Sequence, residues 1–268
     1  MKVLNQNFIN GYNPKVKYME FERYKPEKHG EKLNEWFRYK ASEPDNLEKY
    51  EEIVEEAYDD FRNYFGLERQ VRLVFAKTNI EVLKEKYDEI PVWEYAMGFS
   101  TDPEYHEVER PTVFIMATDD YEHWENILKF TLAHELAHQK FYESRDVGWR
   151  IYQRMLFEGH AMHSAEELSK EKNYDWSHEG WSPENVNPEA IKQELEKFNK
   201  WKDQEDVDVS SLFVPGGDKW ANAEGYPITY KVTERLIDKM DLDVQDLLTL
   251  PEEEWKVNVK EILMELYG

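Results

Sequence analysis

The sequence predicts an α+β fold in which a small mixed sheet packs on a mainly helical body. Two observations lead there: apolar residues recur at helical spacing in several long segments, and three short extended runs lie together between residues 71 and 117. A third bounds the size. A chain of 268 residues is long enough to bury a sizeable core. Residues 1–90 read as an N-terminal helical and strand part, and 91–268 as the region carrying the chemistry, within one compact domain.

The first forty residues are aromatic and mixed in charge, and read as irregular with one short helix and Trp36 and Phe37 as docking points. From Pro44 to Phe65, residues Leu47, Tyr50, Val54, Ala57, Tyr58, Phe61 and Phe65 share a helix face, and Gly66 stands where a C-terminal cap belongs. Val71, Leu73 and Phe75 alternate as in a strand, and Leu83 to Tyr87 form a short helix. Tyr95 to Ser100 and Thr112 to Ala117 read as an antiparallel hairpin with a long loop.

Asp119 and Glu122 are spaced to cap a helix that continues through Trp124, Ile127, Leu128, Leu132, Leu136 and Ala137. Its apolar residues occupy more than one side, so it is buried. A second helix from Trp149 to Ser169 carries Ile151, Met155, Met162 and Ala165 on one face, with Glu158 in the same stripe. Asn173 to Pro188 reads as an ordered loop, Pro188 to Asp203 as a polar helix, and Ser211 to Gly225 as irregular around Pro215-Gly216-Gly217. Tyr226 to Met240 and Pro251 to Tyr267 complete a helical C-terminal part.

Composition excludes several functions. The formal net charge of -23 opposes binding to nucleic acid phosphates and to anionic lipid. No run of about 20 apolar residues spans a bilayer, and the polar start Met1-Lys2-Val3-Leu4-Asn5-Gln6-Asn7 does not build a signal-peptide core. The expectation is a soluble cytoplasmic protein. With no cysteine in the chain, a metal site must be built from histidine and carboxylate.

His134-Glu135-Leu136-Ala137-His138 supplies that chemistry. Histidines four apart stand one above the other on a helix, so two imidazoles can meet one ion while the glutamate between them points beside it. With this composition the bare string arises by accident about 3% of the time, but a Glu158-Gly159 pair at one fixed later spacing lowers that to about two in ten thousand. A glutamate in a buried apolar stripe also needs a partner. His160 and His163 compete as the third ligand, but they point about 200° and 140° around the helix from Glu158. Glu135 and His138 also form half of a di-iron signature, for which no second Glu-x-x-His unit is present.

These residues resemble a family of bacterial zinc-dependent proteases within the gluzincin group, whose best-known member is thermolysin. The match rests on His134 to His138, on Glu158-Gly159-x-Ala161, and on Trp220 through Tyr230 with Asp246-Leu247-Leu248 beyond. It spans the last three fifths of the chain. The resemblance implies a zincin-like domain and a zinc ion held by His134, His138 and Glu158. It implies substrate backbone pairing with the strand near Thr112 to Ala117. Met162 departs from the pattern, because thermolysin-like enzymes carry an aspartate there that supports a ligand histidine.

The expected activity is hydrolysis of a peptide or protein substrate. Zinc would lower the pKa of a water towards about 7, and Glu135 would act as general base. Tyr226 or Tyr230, in the matching C-terminal segment, would donate to the oxyanion, with His178 in reserve. The alternative is a binding or regulatory protein whose zinc only stabilises the fold. The presence of Glu135, which structural zinc does not require, favours catalysis.

Overall fold

The computed structural model describes residues 19–29, 35–45, 47–104, 106, 108–148, 151–174 and 225–267. The expected loop at 173–188, the polar helix at 188–203, the segment around Pro215-Gly216-Gly217 and His178 lie wholly or almost wholly outside them. Among the described residues are eight α-helices and a five-stranded mixed sheet, as an α+β fold requires.

The sheet comprises β1 (Met19–Arg23), β2 (Ala41–Ser42), β3 (Val71–Thr78), β4 (Ala96–Thr101) and β5 (Thr112–Ala117). Its order is β1-β3-β5-β4, with β2 pairing antiparallel to the end of β3. Strands β1, β3 and β5 run parallel and β4 runs antiparallel to β5, in register from Ala96↔Ala117 to Thr101↔Thr112. The hairpin expected from the sequence is therefore present. β1 was not expected: its five residues lie in a segment of weak local pattern, and their pairing with Val71 to Phe75 makes them a strand. The described part of the first forty residues also holds two short helices, α1 (Pro26–His29) and α2 (Glu35–Lys40).

Strand alternation divides the core. Val71, Leu73 and Phe75 of β3 with Val113 and Ile115 of β5 face the main core, whereas Val74, Ala76, Phe114 and Met116 face a smaller cluster with Tyr24 and Phe37. The main core is closed by α3 (Glu48–Phe65) and α5 (Trp124–Ser144). Helix α3 stops at Gly66, which adopts φ 67° and ψ 41° and returns its N–H to the Arg62 carbonyl, the left-handed C-cap that glycine accommodates without steric cost.

The start of α5 differs from the sequence expectation. It begins at Trp124 after His123, with no side-chain cap. Asp119 instead accepts hydrogen bonds from Lys49 Nζ at 2.6 Å and Tyr50 Oη at 3.2 Å, both on α3. A tertiary ion pair has displaced a local cap. Beyond α4 (Ile80–Lys86) and α5 come α6 (Ile151–Lys172), α7 (Gly225–Met240) and α8 (Glu252–Tyr267). Helix α6 packs between α5 and α7, and is buried around nearly its whole circumference near Glu158. No helix of the described residues is long and apolar enough to cross a membrane.

Candidate metal centre

Helix α5 places His134 and His138 on one face, and α6 brings Glu158 against them. The three ligand-type atoms form a nearly regular triangle: His134 Nε2 to His138 Nε2 is 3.1 Å, His134 Nε2 to Glu158 Oε2 is 3.4 Å, and His138 Nε2 to Glu158 Oε2 is 3.3 Å. Tetrahedral zinc with bonds of 2.0 to 2.1 Å separates its ligands by about 3.3 to 3.4 Å. The triangle has the size that one such ion requires. All three residues are buried, and they are the one group of this kind among the described residues. Glu158 Oε2 has no hydrogen bond of its own, which an ion at the centre of the triangle would remedy.

The electrostatics of the three side chains differ. Burial pushes Glu158 up, but His138, contact with both imidazoles and Arg154 outweigh it and hold the carboxylate well below its ordinary range. Burial lowers His138 to about 4 despite the opposing charge of Glu158, so this imidazole favours the neutral form that binds metal. His134 is raised: burial opposes its charge, and contact with Glu158 together with the charges of Glu135 and Glu158 prevails. Glu135 is lifted to about 7, chiefly by burial, with His134 opposing and Glu158 adding. A divalent cation nearby would favour its anion.

Glu135 lies between the motif helix and β4. Ser100 Oγ donates to its backbone carbonyl at 2.7 Å, and Gln139 Nε2 donates to the Thr101 carbonyl at 3.0 Å. These two bonds stitch α5 to β4. Glu135 Oε2 is buried and has no hydrogen-bond partner. An added Cβ on Gly98 would meet its Cγ at 2.2 Å.

Gly159 serves a similar purpose on the other side. A Cβ there would stand 2.0 Å from Thr233 Oγ1, so the missing side chain admits α7 close to Glu158. His160 and His163 do not join the triangle. His160 is fully buried edge-on to Phe141, and His163 Nε2 lies 3.1 Å from the Tyr230 carbonyl.

The two tyrosines occupy different settings. The Tyr226 ring stands edge-on to His134, with centroids 6.4 Å apart, in the first turn of α7. Burial, reinforced by the charges of Glu158 and Glu135, holds its hydroxyl protonated far above ordinary pH. Tyr230 stacks on His163 at 4.3 Å and donates to Glu166 Oε2 at 2.7 Å.

β5 is paired on both sides, with β3 and β4, so it offers no edge to a substrate. Among the described residues, the edge strand beside the centre is β4. This corrects the assignment to Thr112–Ala117, and the reason is strand order, which local sequence does not encode. Among the described residues, neither His134 nor His138 has a hydrogen-bond partner at Nδ1, and Met162 is buried.

Sequence reasoning did not single out Arg154, Phe157, Ser100, Gln139 or Gly98. Arg154 was readable as a helical partner four residues before Glu158. Ser100 and Gly98 gain their places through strand pairing alone. No protein-family model, curated protein or solved structure matches this chain.

Proposed function

We propose that the protein is a zinc metallopeptidase. The observation that carries this reading is the buried His134–His138–Glu158 triangle of tetrahedral size, with a second carboxylate, Glu135, beside it and free of any hydrogen bond at Oε2. Bound zinc would supply Lewis acidity and lower the pKa of a water towards about 7.

The remaining chemistry belongs to this chain. Glu135 takes the proton from the attacking water and passes it to the leaving amine. Tyr226, held protonated beside His134, is the better placed of the two tyrosines to donate to the oxyanion. The outer edge of β4 presents backbone groups to an extended peptide, a mode that accepts varied sequences. The absence of cysteine and the acidic composition fit work in the cytoplasm on a peptide or protein, without nucleic acid or membrane partners.

The deciding experiment measures zinc and peptide hydrolysis together. The purified protein should hold about one zinc per chain, and a strong chelator should remove both metal and activity. Glu135→Gln should keep its zinc and fold while hydrolysis falls by several orders of magnitude. Undiminished turnover in that variant refutes the mechanism. Loss of its zinc instead would favour a structural or regulatory role.

A further inference from the structure

Glu158 has two carboxylate oxygens, and the structure treats them differently. Oε2 completes the triangle with the two imidazoles, whereas Oε1 accepts a hydrogen bond from Arg154 Nη2 at 3.1 Å. Both residues lie on α6 four positions apart, and their side chains retain 16% and 5% exposure, so the pair is largely shielded from water. An ordinary helical surface pair is solvated; this one is largely not.

Arg154 is also braced. Its guanidinium carbon lies 4.7 Å from the centre of the Phe157 ring, and that ring stacks on His138 with centroids 3.9 Å apart at 15°. One arginine therefore contacts one candidate ligand directly and supports another through an aromatic plate. A guanidinium suits both tasks, because it is flat, permanently charged and able to stack while donating to a carboxylate.

We propose that Arg154 is a positioning residue that restricts Glu158 to one-oxygen ligation of the metal. Engaging Oε1 keeps the carboxylate from turning both oxygens to the ion, which preserves the open position that a catalytic site needs. Its charge also offsets that of Glu158, so less of the ion's polarising power is quenched. This inference rests on the zinc reading of the centre and adds to it the means by which coordination number is controlled.

The test compares wild type, Arg154→Gln and Arg154→Lys, each stripped of metal and titrated with zinc against a chromophoric chelator, then with cobalt(II) as a spectroscopic substitute. Arg154→Gln should bind zinc on the order of 10- to 100-fold more weakly, as expected for loss of a partner behind a ligand. Its visible cobalt absorption should weaken as the ion passes from four to five ligands. Arg154→Lys should recover part of the affinity by holding Oε1 with its ammonium, but not the wild-type spectrum, lacking the planar fork.

A glutamine variant with wild-type affinity and spectrum overturns the proposal. If circular dichroism shows that variant unfolded, the lysine variant decides, and wild-type affinity and spectrum there overturn it equally. A wild-type chain that binds neither ion fails differently, since it removes the metal reading itself and this inference with it.

Discussion

Glu135 lies directly over the bare α-carbon of Gly98, so closely that a single added methyl would stand 2.2 Å from its Cγ and 2.7 Å from its Oε1. The side chain proposed to move the proton is thus located by a residue of the adjacent edge strand. Gly98→Ala forces the buried Glu135 side chain, Cγ included, to a new position at a cost of about 1 to 3 kcal/mol in stability, while the two imidazoles and Glu158 should still hold zinc. Hydrolysis should fall on the order of 10²-fold, the scale of an ångström's misplacement of a catalytic group. Metal analysis and steady-state kinetics on one sample check this, and unchanged turnover would show that the carboxylate has room to spare.

The third ligand is open to a paired substitution. Glu158→Ala removes an oxygen from the triangle and should sharply weaken zinc binding, whereas His160→Ala, against Phe141 and outside the triangle, should retain the metal. Isothermal titration with zinc distinguishes them, and the reverse ranking would transfer the ligand role to His160.

Tyr226 and Tyr230 should respond differently to loss of the hydroxyl. Tyr226→Phe should lower kcat by about 10² or more at constant zinc content. Tyr230→Phe loses the bond to Glu166 and should cost about 1 to 2 kcal/mol of stability, with turnover preserved. Thermal melts and kinetics on both variants read out the two effects, and an equal kcat in Tyr226→Phe would place the oxyanion donor elsewhere.

A buried ion pair away from the centre tests the fold itself. Lys40 Nζ meets Glu94 Oε2 at 2.6 Å with both side chains fully buried, and Tyr87 donates to the other Glu94 oxygen at 2.8 Å. Lys40→Met strands a buried charge and should cost about 3 to 5 kcal/mol. The double change Lys40→Met with Glu94→Leu should recover much of it. Urea unfolding of the single and double variants tests this, and simple additivity would show that the pair is not coupled.

The sequence by itself determined the elements whose signal is local. Helical apolar spacing with Gly66 located α3, the alternation in 71–75 located β3, and the four-residue step between His134 and His138 placed both imidazoles on one helix face. Glu158 was legible because a carboxylate inside an apolar stripe demands a partner. Tertiary structure alone decided what depends on contacts between distant segments. Met19–Arg23 becomes a strand through β3, and Asp119 is drawn from a helix cap to Lys49 and Tyr50. The proposed substrate edge passes from β5 to β4 because strand order is set by packing across the whole sheet, and Gly98 meets Glu135 only once that order exists. Local periodicity records which side of an element is apolar, but not which neighbour will cover it.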